Sequence, residues 1–168
     1  SGFQSVAADC EIEFCLASTD PNGNSTTGIT RTSTSQSSFS YSNDGVKYSS
    51  SGGIDAWNTS EYLNIWVCDL SSGLLGYAQF PWEEGDFSPP RMSTDGVVLL
   101  SSQMVSGGTL THEVGHWLGL CHVWAFGGGG CGDDGVIDTP PASEPNYGIN
   151  LSHFPYHVGT SAFGDGWI

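Results

Sequence analysis

Apolar residues recur along this chain with two different spacings. In Glu11 to Ala17, EIEFCLA, they alternate with polar ones before thickening into an apolar run, the pattern of a strand with one buried face. Asn64 to Leu70, NIWVCDL, is β-branched and aromatic, closes on turn residues, and is expected to be a central strand. Leu74 to Trp82, LLGYAQFPW, is strand-like but holds Gly76 inside and Pro81 at its end, which places it at a sheet edge. Gly96 to Ser102, GVVLLSS, reads as a further strand. The spacing then turns helical in GGTLTHEVGHWLGL, with Leu110, Val114, Trp117 and Leu118 as the apolar positions. A short helix is expected in GGIDAWNTSEYL, while AFGGGGCGDDG and the residues C-terminal to it carry no sustained period.

The 168 residues suit one α+β domain with a sheet-rich part over 1–106, a helix and turn over 107–122, and a loop-rich part over 123–168. No internal repeat interrupts that order. Eighteen acids against three bases, Arg31, Lys47 and Arg91, leave a formal net charge of −15. Such a surface repels nucleic acid and anionic lipid and attracts divalent cations. No apolar run approaches the roughly 18 residues of a membrane span, so membrane insertion is not expected. Oligomeric state leaves no sequence trace.

Five cysteines, Cys10, Cys15, Cys68, Cys121 and Cys131, form no CxxC pair, which points to disulfides rather than a zinc knuckle. Cys15 and Cys68 lie in two expected strands of one sheet and are candidate neighbours. Sequons at Asn24, Asn58 and Asn150 fit a secreted, extracellular glycoprotein, although a chain this rich in Ser and Thr also produces sequons by chance.

The chemistry concentrates in Thr111 to His122, THEVGHWLGLCH. On a helix His112 and His116 are one turn apart and share a face, so both imidazoles reach one ion. Gly119 lies beyond the apolar positions, where a left-handed residue stops a helix and turns the chain back, and His122 then supplies a third nitrogen. Three imidazoles leave the fourth position of a zinc ion to water, whose pKa the metal lowers to about 7. Glu113, about 100° round the helix from His112, is placed as a general base rather than a ligand. The plain alternative is a helix whose histidines are solvated or hydrogen-bonded.

The segment HEVGHWLGLCH resembles the metzincin zinc signature, and its surroundings are similar to the pappalysin branch of that family, which includes ulilysin. The likeness runs through IEFCLASTDPNGNSTTGITRT, YLNIWVCDL, GYAQFPW, DGVV, THEVGHWLGLCHVW and CGDDGVIDTPP. It implies a zinc endopeptidase acting on protein or peptide, a metzincin-like (zincin) twisted mixed sheet, and an active-site helix. It implies that the edge strand, here Gly76, Tyr77, Ala78 and Gln79, pairs with extended substrate. It also implies structural calcium at Asp133, Asp134, Asp138 and Thr139, for which an ordinary acidic turn is the alternative.

Departures from the family pattern are equally plain. The resemblance calls for a Met-turn downstream of the DTP segment, yet the two methionines, Met92 and Met104, both precede the zinc helix. The family domain begins with another strand and a helix before the region matching FQSVAAD, so the chain reads as the middle of a catalytic domain. Ile149 stands where a cysteine partner for Cys131 is sought. His153, Tyr156 and His157 are loop candidates for the metal without a spacing argument. The leading reading is a secreted zinc endopeptidase; the alternative is a non-proteolytic metzincin-derived structural or binding module of an extracellular glycosylated assembly, and a calcium-binding adhesive domain rests on acidity alone.

Overall fold

In the computed structural model the described residues are 9–81, 93–105, 107–124, 134–137 and 139. The chain divides into two compact units, Ser1–Ser33 and Thr34–Ile168. The second holds strands Ile65–Cys68 (β1), Gly76–Ala78 (β2) and Val97–Leu100 (β3), then a 3-10 turn at Ser101–Val105 and the helix Gly108–Trp117 (α1). The sheet order is β1-β3-β2, with β1 parallel and β2 antiparallel to β3. The mixed sheet and the single α-helix among the described residues agree with the expected α+β architecture.

Strand alternation sends successive side chains to opposite faces. Trp66, Tyr77 and Val98 pack on one face with Phe39 and Val46, and Ile54, Ala56, Cys68 and Leu70 close around them. Val97 and Leu99 point to the other face, where α1 lies over β2 and β3. All three residues Val97 to Leu99 are fully buried, so β3 is the two-sided centre of the sheet.

That is one correction to the sequence reading: β3, not the Asn64–Leu70 run, is central among the described strands. An apolar run marks a buried strand without telling which neighbour flanks it. The Gly76 and Pro81 criterion is sounder, since β2 does form an edge of this sheet.

In the first unit, Glu11 to Ala17 forms no strand. Glu11 takes a left-handed φ of 54°, and Ile12, Phe14 and Leu16 are exposed. Alternation makes a strand only with a ladder partner, and none exists for it among the described residues. The turn-rich stretch after it behaves as expected: Asp20 accepts from the backbone N–H groups of Asn22 and Asn24, and Thr19 and Ser25 form an isolated bridge. Cys15 therefore lies outside any strand, while Cys68 ends β1, and both are free thiols. Cys10 and Cys121 are free as well. Cys131, Ile149, His153, Tyr156 and His157 lie outside the described residues.

The helix expected in GGIDAWNTSEYL is also absent; a 3-10 turn at Ser49–Ser51 precedes it, and Asn58 accepts from the backbone N–H groups of Glu61 and Tyr62 in a turn. The cause is Asn64, whose side chain accepts from the Trp57 N–H and donates to the Trp57 and Tyr62 carbonyls. Those bonds occupy the backbone groups that a helix needs. No helix among the described residues is long and apolar enough to cross a membrane.

Candidate metal centre

The apolar positions of α1 are not its most buried ones. Leu118 is exposed and Leu110, Val114 and Trp117 are half-buried, whereas Glu113, Gly115 and His116 are buried. The helix is anchored at its end by the Trp117 indole N–H, which donates to the buried Asp95 carboxylate at 3.0 Å. It therefore turns a polar stripe toward β2 and β3.

Gly119 ends the helix as expected, with φ 96°. Its N–H bonds the His116 carbonyl, and the Leu120 N–H reaches back to the Gly115 carbonyl, both at 2.9 Å. This pair of bonds is the Schellman arrangement, in which a left-handed residue reverses the chain. The reversal has two chemical results. It carries His122 back beside His112 and His116, and it aims the Leu120 carbonyl at His116, whose Nδ1 lies 2.7 Å away. A carbonyl only accepts, so Nδ1 carries the proton and Nε2 presents its lone pair.

The three Nε2 atoms converge, with separations of 2.9 Å for His112–His116, 3.0 Å for His116–His122 and 3.1 Å for His112–His122. Nitrogens bound at about 2.0–2.1 Å to a tetrahedral zinc stand about 3.3 Å apart, so this triangle fits such an ion with a small expansion. Among the described residues this is the cluster suited to a metal. Burial, and the neighbouring imidazoles after it, lower the His112 pKa and push His122 down to about 4. Both rings are thus neutral near pH 7, the state that ligates metal.

Glu113 sits beside the cluster, 7% exposed. Its carboxylate has no hydrogen-bond or ion-pair partner among the described residues, and burial pushes its pKa up to about 7. Buried carboxylates are nearly always paired, so an unpaired one next to three convergent imidazoles marks chemistry rather than scaffolding.

Of the four edge-strand residues, Tyr77 turns its side chain into the opposite core and donates its hydroxyl to Asp44 at 2.7 Å. The ladder bonds from Leu100 N–H to Leu75 O and from Gln79 N–H to Gly96 O show which positions pair with β3. In an antiparallel pair the intervening residues face outward, so the N–H and C=O groups of Gly76 and Ala78 point to the edge that no other described strand covers. Of the residues expected to bind calcium, Asp134 accepts from the Val136 N–H and Thr139 donates its N–H to the Val136 carbonyl, a local turn; Asp133 and Asp138 lie outside the described residues.

Sequence reasoning missed two ring partners of the cluster. Trp124 stacks on His122, centroids 4.3 Å apart and nearly coplanar at 9°. Phe80, just beyond β2, rests its ring 4.9 Å from that of His116. Neither has a spacing signal, because ring contacts across a turn or from a strand to a helix obey no period.

The profile of the M43 peptidase family described as pregnancy-associated plasma protein-A matches residues 47–152. Mature mirolysin of Tannerella forsythia, solved in complex with a cleaved peptide, superposes with a TM-score of 0.77 at 51% identity, over 87% of this chain and 57% of that one. An extracellular metalloprotease of Arthroderma benhamiae is 38% identical over 107 residues, 58% of this chain and 34% of that protein. Another, of Colletotrichum graminicola, is 47% identical over 87 residues, 46% of this chain and 30% of that protein. The chain spans about a third of the length of these fungal relatives. With the profile covering more than half of its residues, the chain belongs to the pappalysin branch of the metzincin metalloproteases.

Proposed function

We propose that the chain carries the catalytic centre of a secreted zinc endopeptidase in which Glu113 is the general base. The observation that supports this most is the buried Glu113 carboxylate, unpaired among the described residues, beside three imidazoles whose Nε2 atoms lie within 3.1 Å of one another. His112, His116 and His122 hold the metal. Zinc held there would supply Lewis acidity toward the peptide carbonyl and acidify water.

Glu113 takes a proton from the attacking water and returns it to the leaving amine. Its burial favours that shuttle, since a carboxyl with a pKa raised toward neutrality both accepts and donates at working pH. The outward backbone groups of Gly76 and Ala78 bind the peptide as an added strand, which fixes its main chain while leaving side-chain selection to other residues. The naming of the fungal relatives as extracellular and the sequons at Asn24, Asn58 and Asn150 support secretion.

Zinc content by elemental analysis and cleavage of a quenched-fluorescent peptide mixture, on wild type and Glu113→Ala, test the reading. One zinc per chain and activity lost in the variant are expected. Zinc without cleavage in the wild type would favour a structural module, and absence of zinc would remove the site.

A further inference from the structure

Gly76 occupies an unusual place: it lies in the edge strand on the face that α1 covers, directly against Glu113. Its backbone is ordinary extended strand, so no left-handed conformation calls for glycine there. A Cβ at residue 76 would stand 2.9 Å from Glu113 Cγ, 3.0 Å from Glu113 Oε1 and 3.0 Å from the Val98 carbonyl oxygen. Real Cβ atoms are almost never seen as close as the first of these distances, so any side chain at 76 must move its neighbour. Glycine inside a strand weakens it by lost packing and added chain entropy. The gap it leaves is filled by the general base.

We infer that Gly76 is a positioning residue for Glu113: the missing side chain is the space in which the carboxylate is held beside the three histidines. The inference rests on Glu113 acting as general base. The same residue presents its N–H and C=O to the free edge, so one glycine joins the peptide-binding edge to the proton-transfer group. Alanine at 76 keeps both backbone groups and adds only the Cβ. It should therefore disturb proton transfer while leaving peptide binding nearly intact.

The test is a double-mutant cycle on the zinc-loaded chain with wild type, Gly76→Ala, Glu113→Ala and Gly76→Ala/Glu113→Ala, read by zinc content, Tm and peptide cleavage. Gly76→Ala should retain one zinc, lose about 3–10 °C in Tm through overpacking, and lose about tenfold or more in kcat with KM within about threefold. Glu113→Ala removes Cγ and the carboxylate, so adding Gly76→Ala to it should cost less than half as many degrees. Equal Tm losses in both backgrounds would assign the crowding to the Val98 carbonyl and overturn the inference, as would a wild-type kcat in Gly76→Ala. If Gly76→Ala fails to fold, a folded double variant supports the inference and an unfolded one overturns it. A wild type that holds zinc and cleaves nothing removes the general-base reading, and the thermal cycle still decides whether residue 76 makes room for Glu113.

Discussion

On one side of β3, Val98 meets Trp66, Tyr77, Phe39 and Val46; on the other, Val97 and Leu99 lie under a helix whose buried side chains include Glu113 and His116. Both sides enclose hydrogen-bonded polar atoms, and the second also holds a buried carboxylate without a partner among the described residues. On the first, Lys47 lies between the rings of Trp66 and Tyr77 and donates to the Thr94 carbonyl, the Tyr77 hydroxyl donates to Asp44, and the Trp66 indole donates to the Ile54 carbonyl. On the second, Glu113 has no partner among the described residues, and three imidazole nitrogens face one another. A satisfied buried group supports the fold, whereas an unsatisfied one carries a free-energy cost that selection tolerates where chemistry is done.

Four substitutions probe that contrast. Glu113→Gln should lower kcat/KM by about 10²–10⁴-fold with zinc retained, measured by peptide cleavage and metal analysis; a variant of wild-type activity would erase the distinction between the faces. Trp66→Ala acts on the opposite face and should cost about 3–5 kcal/mol of stability, read by denaturant unfolding, while the still-folded fraction binds zinc normally. Lys47→Met leaves the Thr94 carbonyl without its donor and Asp44 without its cation, for a loss of about 2 kcal/mol; an unchanged midpoint would show that this polar network is not needed for stability. Trp124→Ala removes the ring stacked on His122 and should weaken zinc binding about tenfold, tracked by competition with a chelator, with Tm of the metal-free chain nearly unmoved.

The two faces are also unequally legible. Strands at NIWVCDL, GYAQF and GVVLL emerge from β-branched and aromatic runs, and the histidine spacing together with Gly119 announces the metal cluster. Pairing order is not legible, because β1 and β3 read alike as apolar runs and only the packing of both faces makes β3 central. Glu11 to Ala17 misleads because alternation describes a face without supplying a partner. The buried side of α1 is hidden for a related reason. Periodicity counts apolar residues, and here the most buried helix positions include a glutamate and a histidine. Gly76 stands out as an oddity in a strand, but only the fold places Glu113 against it.

The turn at Gly119 has a consequence for the order in which the chain matures. A helix of ten residues such as α1 is too short to persist alone in water, so His112 and His116 hold their one-turn spacing only after the sheet supports them. His122 joins them only once the reversal at Gly119 and Leu120 has formed. A metal held by these three histidines would thus act as a checkpoint on folding: an unfinished chain has no chelate to offer, and in a finished one the ion would link the helix to the segment beyond it.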